Sequence, residues 1–125
     1  MAPESPEIVV LDRRIAPVEL ARLVQRFFGD MVKYVVDVRQ RLVAIGGELH
    51  ADAEQILLTR GSRQADLWGA NYYPGRGREG CIEFTALVNV RPAQGNPSME
   101  IESEAVRRAV REITFELVGE GDALP

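Results

Sequence analysis

The stretch MVKYVVDVRQRLVAIGG, residues 31–47, limits the possible folds of this chain more than any other. Val32, Tyr34, Val36 and Val38 fall on one side of an extended chain, with Lys33 and Asp37 on the other, because successive side chains of a strand point to opposite faces. Arg39 and Gln40 interrupt the apolar pattern, and residues 42–45 resume it before Gly46-Gly47. Two apolar runs of strand length with a short polar break predict an antiparallel hairpin. The break contains no Asn-Gly or Asp-Gly, so the turn type stays open.

Around this hairpin the elements follow in order. Ile8 to Leu11 is β-branched and apolar, which suits a strand. Pro17 fits the first position of a helix, and Leu20, Leu23, Val24, Phe27 and Phe28 recur at helical spacing up to Gly29. After residue 48 the period becomes helical again, with Leu49, Ala53, Ile56 and Leu57 on one face. Asp52 with Gln55 could form a capping box and start this helix later. His50 is on the helix in the first case and in the preceding loop in the second. Gly61 closes the helix, Ser62 is placed to cap a short turn over 63–68, and residues 69–80 read as a loop.

Residues 82–90 alternate throughout, with Ile82, Phe84, Ala86, Val88 and Val90 facing one way, and so predict a strand. Gly95, Asn96 and Pro97 make a turn toward a short returning strand at 98–101. Ser103 caps a last helix with Val106, Val110, Ile113 and Leu117 as its buried stripe. The expected fold class is α+β: a single mostly antiparallel sheet of four to five strands with about three helices packed on one face. A single domain is expected over residues 7–119, between a flexible arm, 1–6, and a tail, 120–125.

With 125 residues the chain can bury a sufficient core without disulfides or metal. Its single cysteine, Cys81, excludes an intrachain disulfide and reads as a buried structural thiol. A net charge of −4 and a pI near 5.1 argue against nucleic acid and anionic membranes as partners. No stretch approaches the ~20 apolar residues of a membrane span, and no secretory signal is visible. The expected location is cytoplasmic.

Residues 46–74 hold the single histidine, the single tryptophan and two of the tyrosines. Glu48, His50 and Asp52 are ligand types that a zinc or manganese ion accepts. On a helix, however, Glu48 with Asp52 and His50 with Glu54 point apart, and the simpler role is an acidic first turn that complements the helix dipole. No metal and no cofactor is therefore expected. His50 could instead serve as a general base oriented by Glu54 or Asp66. No G-x-S-x-G elbow and no G-x-x-x-x-G-K-[ST] loop is present. Arginines at 60, 63, 76, 78 and 91 suit a small anionic ligand, with the nearby aromatic rings stacking on it. The ligand-binding candidates are Arg63, Trp68, Asn71, Tyr72, Glu83, Asn89 and Arg91. Leu87 lies on the otherwise polar side of residues 82–90 and calls for a cover, which predicts a homodimer.

The segments ELHADAEQILLTRGSRQADLWGANYYP and IEFTALVNVRPAQGNPSMEI resemble a family of small bacterial proteins catalogued only as a domain of unknown function. The resemblance covers residues 31–101 and rests on the HADAE and LWG stretches. The family carries a basic residue where this chain has Pro97, which argues against phosphate binding on that turn. The resemblance implies a bacterial origin and a compact domain, and it carries over no catalytic residue.

Two functional classes follow. One is a non-catalytic module binding a ligand or protein partner through residues 61–74 and the polar side of 82–90. The other is a hydrolase on an anionic substrate, possible with metal assistance, in which His50 is the base and Arg63 or Arg91 holds the anion. The enzyme requires His50, a carboxylate and an arginine to meet in one pocket.

Overall fold

The computed structural model describes residues 7–125, so the expected arm at 1–6 lies outside the described residues. The elements in chain order are β1 (Ile8–Leu11), α1 (Pro17–Phe27), β2 (Val32–Asp37), β3 (Leu42–Gly46), α2 (His50–Thr59), β4 (Leu67–Tyr72), the short α3 (Gly77–Gly80), β5 (Ile82–Glu83) and α4 (Glu104–Leu117). The strands form one antiparallel five-stranded sheet in the order β1-β3-β2-β4-β5. The fold is α+β, with the expected hairpin as β2 and β3.

Helices cover both faces of this sheet, not one. On the first face Val32, Tyr34 and Val36 join Val43, Ile45, Trp68 and Tyr72 in the larger core. Leu20, Leu23 and Val24 of α1 and Val110, Ile113 and Leu117 of α4 close it. Inside it the Tyr34 hydroxyl and Thr114 Oγ1 share a hydrogen bond of 2.8 Å. On the opposite face Val35, Ala44 and Leu67 receive Ala53 and Leu57 of α2. The reason lies in the hairpin sequence. Val35 between Tyr34 and Val36, and Ala44 between Val43 and Ile45, make β2 and β3 apolar on both sides, and such strands need cover on both.

The hairpin turn is organised by Asp37, which is fully buried. Its Oδ1 accepts from the backbone N–H of Arg39 (2.9 Å) and Gln40 (2.8 Å). Its Oδ2 accepts from Gln40 Nε2 (2.9 Å) and Ser62 Oγ (2.6 Å). Ser62 is therefore a link to the hairpin and not the cap of a following turn. Ser103 does cap α4, accepting from Val106 N at 3.2 Å.

The sheet departs from the sequence expectation at its centre. Residues 67–72, assigned to a turn and a loop, form β4, which pairs with β2 from Asp37↔Leu67 to Val32↔Tyr72 and is buried throughout. Residues 82–90, expected as a strand, pair with β4 only at Ile82 and Glu83. Beyond that point the chain passes over Gly69 and turns at Leu87–Asn89. A Cβ at Gly69 would lie 2.6 Å from Ala86 Cβ and 2.9 Å from Val88 Cγ2, so the missing side chain makes the crossing possible. Asn89 then stands in for the absent strand: its Oδ1 accepts from Gly69 N (2.8 Å) and its Nδ2 donates to Gly69 O (3.0 Å). The expected return strand at 98–101 is reduced to a single bridge, Thr85↔Glu100. Gly69→Ala is expected to cost about 1–3 kcal/mol by overpacking. Urea unfolding of the variant checks this, and wild-type stability would mean that residues 86–88 yield freely.

The segment expected as a tail is docked on the domain. Gly121 N donates to the Tyr72 hydroxyl (2.8 Å), Gly75 N to Asp122 O (3.1 Å), and Leu124 packs against the larger core. Cys81 is buried in the same core, where burial raises its thiol pKa.

Candidate functional site

The helix start left open by the sequence falls at His50, with Leu49 just before it. The helical wheel that placed Leu49 on the buried stripe fails at this first turn, because Leu49 lies outside the helix and points into solvent. α2 covers β2, β3 and the near end of β4, but its first turn stops short of the far end of β4. The crossing at residues 85–88 covers that area only partly. Between them remains a solvent-open groove of about 530 Å³. Lys33 of β2 and Asn71 of β4, neighbours in register, lie on its floor. Leu49, His50 and Ala51 form one wall, residues 85–88 another, and Met31 and Met99 complete it.

The rim is apolar and exposed. Leu49 is 56%, Leu87 72% and Met99 45% exposed. Three large apolar side chains around one opening exceed the scattered exposure that a surface normally tolerates.

The floor is polar. His50 Nε2 lies 2.9 Å from the Ala70 carbonyl oxygen. A carbonyl only accepts, so Nε2 carries a hydrogen in every protonation state of the ring. Burial lowers the His50 pKa below its ordinary value, and Lys33 adds to this, while the Ala70 carbonyl, Asn71 and Glu83 work against it. The imidazole is therefore neutral near pH 7. Asn71 is buried, and its Nδ2 donates to Glu83 Oε1 (2.7 Å) and Thr85 O (3.3 Å), while its Oδ1 has no hydrogen-bond partner. Glu83 also accepts from the Tyr73 hydroxyl at 3.3 Å.

Of the residues singled out from the sequence, the fold brings His50, Asn71 and Glu83 to one place. Trp68 and Tyr72 lie on the other face of the sheet, buried in the larger core. Asn89 is buried against Gly69. Arg91 is folded inward: Nε donates to Val88 O (3.0 Å), Nη1 to Gln64 O (2.9 Å) and Nη2 to Leu67 O, and its guanidinium stands 4.7 Å from the Trp68 ring centre. Its ion-pair partner is Glu54, at 3.8 Å. Asp66 uses its backbone carbonyl to accept from Val38 N (3.0 Å). Arg63 and Glu48 are exposed and Asp52 is half-buried. Among the described residues no three His, Cys, Asp or Glu side chains come together as a metal site.

The sequence reading missed Lys33, Leu49, Met31 and Met99 as groove residues. Leu87 was the available signal, since an apolar side chain on a polar face asks for a neighbour. The groove itself depends on the crossing at Gly69, which no local pattern announces.

Residues 9–117 match a family described as a protein of unknown function, DUF5674, and the chain belongs to it. No curated protein and no solved structure matches. Among the described residues no helix is long and apolar enough to cross a membrane.

Proposed function

We propose that this member of a family of unknown function is a binding module, and that its site is the groove between the start of α2 and residues 85–88. The observation that carries this reading is the exposed apolar rim of Leu49, Leu87 and Met99 over a polar floor. The volume, about 530 Å³, falls within the roughly 300–1,000 Å³ of small-molecule sites. Apolar walls with a few convergent polar groups are the usual composition of such sites. The ligand is a small molecule with an apolar body.

The hydrolytic alternative asks for an arginine beside His50. Arg91 is committed to three carbonyls and Glu54, and neither it nor Arg63 lines the groove. The company of His50 is instead Lys33, Asn71 and Glu83, which suits recognition of a polar group at the end of an apolar one.

A neutral fluorescent probe with an aromatic body tests this reading. Wild type is expected to bind it, and Leu87→Asp and Met99→Asp are each expected to weaken binding at least tenfold with unchanged circular dichroism. Equal binding by all three proteins would remove the groove as the site. Sedimentation velocity on the same samples addresses the homodimer. A wild-type dimer that Leu87→Asp dissociates would reassign the rim to a second copy of the chain.

A further inference from the structure

We propose that the groove binds an alkyl carboxylate, with its chain between Leu49, Leu87 and Met99 and its head against His50 and Lys33, and that binding takes up a proton onto His50. The inference rests on the groove being the ligand site and names the class of ligand.

Two basic side chains line the floor, Lys33 and the neutral His50 imidazole. Among the described residues no carboxylate pairs with Lys33, whose Nζ stands 5.0 Å from the Phe28 ring centre. His50 donates through Nε2 to Ala70 O, and the Asn71 side chain acts on the ring and favours its protonation. In the neutral ring Nδ1 is an acceptor, so a ligand must bring a donor to it or a proton must arrive with the ligand. An alkyl carboxylate with one proton meets both needs. Its oxygens accept from the Lys33 ammonium and from a protonated Nδ1, and Nε2 keeps its bond to Ala70.

Two of the acids nearby are already engaged. Glu83 of β5 accepts from Asn71 and Tyr73, and Glu100 accepts from Thr85 and pairs with Arg107. On α2 itself Asp52 and Glu54 lie near, with Glu54 turned to Arg91. Of the charged groups that act on the ring, Lys33 on β2 disfavours its protonation and Glu83 on β5 favours it. A carboxylate placed between His50 and Lys33 offsets the first of these directly. The apolar rim accounts for the rest of the ligand, because a small hydrophilic anion leaves Leu49, Leu87 and Met99 in water.

Linkage fixes the sign of the pH dependence. The bound carboxylate raises the pKa of His50 above its value in the free protein, so affinity is highest below the free-protein pKa. It falls as pH rises toward the bound-state pKa, at most tenfold per pH unit for one proton.

The test is calorimetric titration with dodecanoate and with the neutral dodecanol between pH 6 and 8, in buffers of different ionisation enthalpy. The expected result is tighter binding of dodecanoate than of dodecanol, with net proton uptake and an affinity that falls several-fold across this range. His50→Gln is expected to abolish both the uptake and the pH dependence, and Lys33→Met to weaken dodecanoate at least fivefold relative to dodecanol. Dodecanol bound as tightly as dodecanoate would overturn the ligand class, and dodecanoate binding without proton uptake would overturn the role of His50; either result leaves the groove standing. Binding of neither compound, together with no binding of the neutral aromatic probe, would remove the groove itself.

Discussion

Arg91→Met is expected to lower the free energy of unfolding by about 3–5 kcal/mol, the usual cost of removing one partner of a buried ion pair. Two consequences add up in this variant. Glu54 Oε2 is buried, has no hydrogen bond and faces the Arg91 guanidinium, so its charge is left without compensation. The carbonyls of Gln64, Leu67 and Val88 also lose their donor. Arg91→Lys is expected to recover only a small part, because one ammonium cannot fan out to three carbonyls and lie flat near the Trp68 ring. The double variant Arg91→Met with Glu54→Leu separates the two consequences. Recovery of about half the loss would assign that half to the stranded carboxylate, since an apolar replacement of both partners is often neutral. Urea unfolding of wild type, Arg91→Met, Glu54→Leu and the double variant gives the full cycle. A single variant within 1 kcal/mol of wild type would show that Arg91 is dispensable to the fold.

Arg91 also shows how a residue chosen for one role is placed in another. Its neighbourhood of arginines and aromatic rings suggested anion binding, and the side chain is instead spent on the backbone of residues 64–67 and 88. The distinction could not be read in advance, because it depends on three carbonyls that come together only once β4 is in place. β4 was itself hidden. Its sequence LWGANY carries Gly69 and Asn71, both depleted in strands, and its flanks look like turns. Its neighbours β2 and β3 were legible because their apolar residues are dense enough to override every other signal. The same density concealed a second face: Val35 and Ala44 already announced that helices would be needed on both sides.

Residues 82–90 illustrate the opposite error. Their alternation is as regular as any in the chain, yet pairing ends after Glu83. Alternation reports that a segment could lie on a half-buried surface, whereas pairing needs a free edge at the right height. Here the Asn89 side chain occupies the edge of Gly69, and the backbone is carried across the face instead. That crossing creates one wall of the groove. His50 was legible as unusual because it stands alone, and Asn71 as a candidate polar group, but their meeting was not, since Ala70 and Asn71 belong to the strand that the sequence hid.

Asp37→Asn is expected to destabilise the protein by about 2–4 kcal/mol at neutral pH, as hydrogen bonds to a charged group are each worth roughly 1.5–3 kcal/mol. The variant keeps an oxygen for the N–H groups of Arg39 and Gln40 but turns an amide N–H₂ toward Gln40 Nε2 and the Ser62 hydroxyl. The pH dependence identifies the charge as the cause. Burial pushes the Asp37 pKa up, but the donors from Ser62, Gln40 and Arg39 outweigh it and hold the carboxyl below its ordinary range. A folded-state pKa below the unfolded one means that the unfolded chain binds more protons in between, so stability rises with pH across that window. The contribution of Asp37 is complete above the unfolded value near 3.9 and disappears as pH falls through the folded value. The gap between wild type and Asp37→Asn should therefore be constant from pH 7 down to about 5 and narrow below 4. Urea midpoints across this range measure it. A gap of equal size at pH 3 and pH 7 would mean that the turn depends on the shape of residue 37 and not on its charge.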